Sequence, residues 1–219
     1  TSAFNLIANS KVLDSVVPKH INKIVLGGEA LMARNLNIWK SKLPNMKFVN
    51  LYGPTEVTVD CTYYIIEKEY SDEEEIPIGV ACENKEVLLL NENLEEVPQG
   101  TVGEICVRGT GVAKGYFNDS EKTDKVFIQN PLNNCYRDII YRTGDMGVKD
   151  EKGLIYFKSR MDGQIKHMGY RIELGEIERA INSIGSINSV ACLYDAQKDK
   201  IVCVYEGKTT NQEIIAHIQ

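Results

Sequence analysis

The run Asn50-Leu51-Tyr52-Gly53-Pro54-Thr55-Glu56 places an aromatic ring, a hydroxyl and a carboxylate on one short stretch. Gly-Pro after an apolar run is turn punctuation, so Tyr52 ends a strand and Thr55 and Glu56 follow on a loop. That set could hold a flat ring, a phosphate and a metal ion, or it could be a plain turn. Upstream, Gly27-Gly28-Glu29 lets a backbone approach a ligand closely, or simply turns a strand into a helix. Downstream, "YRTGDMG" from Tyr141 to Gly147 places Asp145 at a turn after a strand. An ionised aspartate is acceptor-only with two oxygens and could take both hydroxyls of a ribose; a type I turn aspartate is the alternative. From Ser159 to Glu176, Arg160, Asp162, Lys166 and Arg171 crowd around Gly163, Gly169 and Gly175. This reads as a backbone pivot or as a solvated hairpin between domains. His167 has no ligand-type cluster beside it and reads as a surface or core residue. With no G-x-S-x-G and no recognisable Cys-His spacing, a nucleophilic hydrolase has no support.

Regular elements must position these residues. Lys23 to Leu26 reads as a strand and 31–43 as a helix, with Leu31, Ile38, Trp39 and Leu43 on one face and Pro44 helping to end it. "MKFVNLY" is the next strand, giving a β-α-β unit with parallel strands. Ligands in open α/β sheets bind beyond the carboxyl ends of strands, so Gly27 to Glu29 and Tyr52 to Glu56 fall on one edge. "CTYYII" is a further strand, and the acidic run from Glu67 to Glu75 a solvated loop. Then "EVLLLN", "VGEICVRG", "IIYRTGD" and "GLIYFKS", separated by "VPQG" and "DEKG", predict an antiparallel sheet or small barrel. After Ser159 come an amphipathic helix, "LGEIERAINSI", with Leu174, Ile177, Ile181 and Ile184 on one side, strands "NSVACLY" and "KIVCVYEG", and a helix over "NQEIIAHIQ". The expected class is α/β, α+β overall: the end of a large layered core over 1–76, a β-rich, barrel-like subdomain over 77–160 and the start of a small α+β domain over 161–219.

Composition limits the function classes. At 43% hydrophobic and 26% charged the chain is ordinary globular material. A net charge of −6 disfavours a nucleic-acid groove, which needs a basic excess. Apolar runs such as Val87 to Leu90 are far too short to span a bilayer, and no signal-peptide pattern opens the chain. Its first residue is not Met, which reads as a piece of a longer protein. Six cysteines, at 61, 82, 106, 135, 192 and 203, form no C-x-x-C pair and have three histidines for company. Zinc is disfavoured, and reduced, mostly buried thiols in a cytosol are expected.

The order of the motifs is more specific than any one of them. A glycine pair with Glu, N-x-Y-G-P-T-E, "GEICVRGTGVAKGYFN", Y-R-T-G-D and R-x-D-x-Q-x-K-x-x-G-x-R-I-E-L-G-E-I-E follow one another. From about Lys23 to Glu206 the chain resembles the adenylate-forming ligases, in particular the amino-acid adenylation domains of non-ribosomal peptide synthetases and the D-alanine–carrier protein ligases. "YGPTE" favours that branch over the acyl-CoA and luciferase branches. The resemblance implies ATP and Mg²⁺ as the nucleotide and metal, an amino acid or similar small carboxylate as substrate, and a carrier protein bearing phosphopantetheine as partner. It implies that Gly28, Glu29 and Ala30 line the adenine and substrate side. Asn50 would bond the adenine amine, Tyr52 would stack on the ring, and Gly53 and Thr55 would contact the nucleotide, Thr55 at phosphate. Glu56 would bind Mg²⁺, and Asp145 would hold the ribose, with Tyr156 and Arg160 close by. Asp162 would be the hinge of the small lid domain, with Lys166 and Gly169 on the loop that enters for thioester formation. Gly27, Leu51, Val59 and Asp60 would border the side-chain pocket.

Two family features have no counterpart: the upstream Ser/Thr/Gly-rich phosphate loop with its lysine, and the lysine of the terminal N-G-K-type motif. "SRMD" replaces the commoner G-R-x-D, with Ser159 in place of glycine. The expectation is the later part of a ligase, inactive in isolation. A nucleotide-binding relative without catalysis stays open. An interaction domain is disfavoured by the full set Asn50, Tyr52, Thr55, Glu56 and Asp145.

Overall fold

The structure is a computed structural model and describes all residues except 162, 168, 169, 196, 197, 199 and 219; for residues 166, 171 and 218 it describes the backbone alone. Thr1–Ser159 and Arg160–Gln219 form two compact units.

The first unit begins with helix α1 (Ser2–Asn9), followed by strand β1 (Lys23–Leu26), helix α2 (Ala33–Lys42) and strand β2 (Lys47–Tyr52). β1 and β2 are parallel, with Leu26 opposite Asn50, so both carboxyl ends emerge on one edge as a β-α-β crossover requires. β3 (Thr62–Ile65) and β4 (Val80–Ala81) extend the sheet in the order β1-β2-β3-β4, with β2–β3 and β3–β4 antiparallel. Phe4, Leu26, Leu36, Trp39 and Phe48 form the core beneath it. α2 is shorter than the 31–43 read from periodicity, because Met32 is extended and only caps it and Leu43 is no longer helical. Its buried face is Ala33, Asn35, Leu36 and Trp39, whereas Ile38 stands exposed.

A second sheet runs β5 (Lys85–Leu90), β6 (Val102–Gly109), β8 (Ile139–Lys149), β7 (Phe127–Gln129), with β9 (Ile155–Arg160) also on β8. Val87, Leu89, Ile105, Val107 and Tyr141 pack in one cluster with Tyr52, Val57 and Cys61. The change of texture near residue 77 is therefore a change of sheet inside one compact unit. It is tied further where the Ile78 amide donates to the Ile155 carbonyl at 2.9 Å and the Ile155 amide to Gly79 at 2.8 Å. A short helix, α3 (Ser120–Val126), precedes β7, capped by the Asp119 carboxylate on the Lys122 amide.

The second unit contains the hairpin β10 (Gln164–His167) and β11 (Tyr170–Glu173), helix α4 (Leu174–Asn182), the antiparallel pair β12 (Ile187–Asp195) and β13 (Lys200–Gly207), and helix α5 (Asn211–Ile218). Ile181, Ile187, Cys192 and Ile214 form its core, with Leu174, Ile177 and Ile184 against it. Among the described residues, no helix is long and apolar enough to cross a membrane.

Candidate functional site

Asp145 does not sit at a turn. β8 continues through it to Lys149, and the carboxylate is aimed by an irregularity in the ladder. Opposite β8, Glu104 pairs with Met146 but Cys106 pairs with Arg142, so Thr143-Gly144-Asp145 bulge against Ile105. Gly144 takes φ +72°, which glycine adopts without steric cost. The Thr143 hydroxyl donates to the Ile105 carbonyl at 2.7 Å and accepts the Asp145 amide at 3.0 Å. Glu104 accepts the Gly144 amide at 3.1 Å and the Arg142 guanidinium at 2.8 and 2.6 Å. Bulges re-aim side chains in this way. The Asp145 carboxylate is buried and accepts the Tyr52 hydroxyl at 2.5 Å. Burial, and then the neighbouring Asp145 charge, push the Tyr52 phenol well above its ordinary range, so it acts as a fixed donor.

The loop after Tyr52 doubles back. Thr55–Val57 make one 3₁₀ turn. Thr58 and Val59 then take φ +60° and +69°, a region that costs a β-branched residue about 1–3 kcal/mol. The Cys61 amide returns to the Tyr52 carbonyl at 2.7 Å. Gly53 lies under this return: a Cβ there would stand 2.4 Å from the Val59 carbonyl oxygen and 2.5 Å from the Asp60 Cα. Glu56 is buried, its carboxylate accepting the Tyr116 hydroxyl at 2.7 Å and its carbonyl the Ala113 amide at 2.8 Å. Thr55 is exposed on the same turn.

Gly27, Leu51 and Asp60 converge: a Cβ on Gly27 would be 3.4 Å from the Leu51 Cβ and 3.5 Å from an Asp60 carboxylate oxygen. Val59 stands beside them, exposed. Gly28, at φ +88° with open space around it, Glu29 and Ala30 continue from the end of β1. Asn50 is buried one residue pair from Tyr52, with its Nδ2 donating to the Pro77 carbonyl at 2.9 Å. Tyr156 lies on β9, half-buried, with its hydroxyl 3.5 Å from an Asp150 oxygen; burial and Asp150 raise its pKa. Arg160 opens the second unit. Lys166 is on β10, described by backbone alone, and Asp162 and Gly169 lie outside the described residues. Sequence reading missed Tyr116, Thr143 and Glu104. Thr143 stands within the Y-R-T-G-D motif and Tyr116 within "GYFN", which is the signal that could have found them. Among the described residues no group of three His, Cys, Asp or Glu stands together as a metal-binding set.

Comparison with known proteins gives a consistent result. The family described as AMP-binding enzyme matches residues 1–117. The chain is similar to tyrocidine synthase 3 of Brevibacillus parabrevis, 40% identical over 187 residues, covering 84% of this chain and 3% of that protein. It is also similar to bacitracin synthase 1 of Bacillus licheniformis, 38% identical over 216 residues, covering 98% of this chain and 4% of that protein. Among solved structures it is similar to holo-PA1221, an NRPS protein containing adenylation and PCP domains bound to a vinylsulfonamide inhibitor. There the TM-score is 0.83 at 30% identity, covering 99% of this chain and 38% of that one. The chain thus spans a small part of the length of the synthases it matches.

Proposed function

The chain belongs to the AMP-binding enzyme family, and on that premise we propose that it forms part of an ATP-dependent ligase. The ligase activates an amino acid, or a similar small carboxylate, as an acyl-adenylate and passes it to the phosphopantetheine thiol of a carrier protein. The observation that carries this reading is the buried Tyr52–Asp145 contact of 2.5 Å, which joins the end of β2 to the bulge of β8. It brings together an aromatic ring and an oriented carboxylate from residues far apart in sequence.

Each group has a task suited to its chemistry. With Nδ2 committed to Pro77, Asn50 offers Oδ1 to an amine such as that of adenine. The Tyr52 ring offers a stacking face. An ionised carboxylate has about four lone-pair sites, so Asp145 can serve ribose hydroxyls as well as Tyr52. Gly28, Glu29, Ala30 and Gly53 supply close backbone, and Tyr156 belongs to the nucleotide side. Thr55 offers its hydroxyl to phosphate. Glu56 fits Mg²⁺, a hard cation usually held by one or two carboxylates plus substrate phosphates rather than by an all-protein cage; the metal would neutralise phosphate charge. Gly27, Leu51, Val59 and Asp60 border the space for the substrate side chain, with Asp60 adding a polar wall.

The reaction is attack of a substrate carboxylate oxygen on the α-phosphorus of ATP, with pyrophosphate leaving. Positioning and charge neutralisation then carry most of the rate. The resemblance assigns a hinge role to Asp162 and parts in the thioester half-reaction to Lys166 and Gly169; Asp162 and Gly169 lie outside the described residues. Free thiols at all six cysteines suit the cytosol. The test is ATP titration of the intact protein carrying this segment, comparing Asp145→Ala and Asp145→Asn with the parent. Loss of a hydrogen bond to a charged acceptor, about 1.5–3 kcal/mol, predicts at least tenfold weaker ATP binding for Asp145→Ala. Unchanged affinity would remove Asp145 from the nucleotide site.

A further inference from the structure

Lys85, the first residue of β5, belongs to none of the motifs above. Its ammonium donates to three backbone carbonyls of one turn: Val57 at 2.7 Å, Thr58 at 3.2 Å and Asp60 at 2.5 Å. Three donors is the full capacity of a lysine, and all three are spent on Val57 to Asp60. The Val57 carbonyl is the last of the 3₁₀ turn Thr55–Val57, the Thr58 carbonyl also accepts the Asp60 amide at 3.1 Å, and the Asp60 carbonyl lies just beyond. The same turn holds Thr58 and Val59 in left-handed geometry, which persists only when the surroundings over-determine it.

Gly111 makes room for this arrangement. A Cβ there would stand 2.7 Å from the Lys85 Cε, 2.9 Å from its Nζ and 2.8 Å from the Val57 carbonyl oxygen. The Gly111 carbonyl also accepts the Thr58 hydroxyl at 2.7 Å. β5 and the segment after β6 therefore converge on the turn that sets Asp60 against Gly27 and Leu51.

We propose that Lys85 is a positioning residue: its ammonium clamps the strained Thr58–Asp60 turn and thereby fixes the wall of the substrate side-chain pocket. The role rests on the ligase reading, because the pocket has a meaning only if a carboxylic substrate enters it. Lys85 touches no substrate. It acts through the backbone that carries Val59 and Asp60, and its three hydrogen bonds go to that turn rather than to Asn50, Tyr52 or Asp145.

The test uses the intact protein and three variants, Lys85→Met, Lys85→Arg and Gly111→Ala, the last displacing the ammonium without changing Lys85. Two readouts separate the clamp from the activity. In hydrogen exchange, Lys85→Met and Gly111→Ala should speed the Asp60 and Cys61 amides at least tenfold and leave the β6 amides unchanged. In pyrophosphate exchange, both should raise KM for the carboxylic substrate about tenfold with KM for ATP within twofold, and Lys85→Arg should recover part of the loss. A purely structural lysine would move both KM values and the melting temperature together. Unchanged exchange at Asp60 and Cys61 overturns the clamp. Altered hydrogen exchange with an unchanged substrate KM overturns the role in the pocket. If the parent protein shows no pyrophosphate exchange with any carboxylate, the ligase reading fails, and with it the substrate role, while the hydrogen exchange still decides the clamp.

Discussion

Cys61 and Cys106 show how far single residues can be read. Both thiols are buried, and burial pushes each pKa up to about 12. The thiolate is the nucleophile, so both should resist iodoacetamide at pH 8 while exposed Cys135 is labelled first; mass spectrometry of the alkylated peptides checks this. The same shifts have a stability consequence. Unfolded thiols titrate near 8.5, so the folded chain holds protons that the unfolded chain releases between about pH 9 and 12. The contribution is fully present below pH 8.5 and is lost as pH rises. The urea midpoint should fall between pH 8 and pH 10, and fall less in Cys106→Val; equal slopes would contradict the assignment. Gly53 gives a third residue-scale prediction. A Cβ 2.4 Å from the Val59 oxygen forces the return of the loop apart, so Gly53→Ala should lose about 1–3 kcal/mol in urea unfolding. The glycine in "YGPTE" was legible as a turn residue, but the chain that passes over it was not, because contacts across the strained turn leave no periodic trace.

At the scale of elements, hydrophobic patterning located strands better than it located the packing of helices. "VGEICVRG" and "KIVCVYEG" are the strands β6 and β13 to the residue, because a continuously buried run in β6, an alternation of exposed and half-buried residues in β13, and the flanking turns leave few options for them. α1 was missed. Eight residues give too short a window for a 3.6-residue period, and its stability comes from tertiary contact. Phe4 stacks on Trp39 at 5.0 Å, and the Trp39 indole donates to the Phe4 carbonyl at 3.1 Å. Trp39→Ala should therefore cost about 3–5 kcal/mol and free α1 from α2. Far-UV circular dichroism and urea titration would register both; a loss below 1 kcal/mol would show that the helix is held by other contacts. The bulge that aims Asp145 was also invisible in sequence. The motif Y-R-T-G-D ends on what looks like a turn, and only the register of β6 against β8 reveals a strand that continues.

At the scale of the whole molecule, the chain divides into two compact units between Ser159 and Arg160, beside the segment whose motif reads as a pivot. The change of texture near residue 77 marks where the chain passes from one sheet to the other within the first unit; alternation reports which face is buried but not which sheet a strand joins. What the sequence carried most clearly was the order of the motifs, and the structure brings Tyr52, Asp145, Glu56, Gly27, Leu51 and Asp60 into one unit around the carboxyl ends of β1 and β2. The most direct measurement of the central claim is carboxylate-dependent exchange of labelled pyrophosphate into ATP, run on the intact protein with each common amino acid, D-alanine and small carboxylic acids. The account predicts exchange that depends on one substrate or a narrow set of them and falls at least tenfold in Asp145→Ala at limiting ATP. Absence of exchange with every substrate, from a protein that is folded and supplied with Mg²⁺, would contradict it.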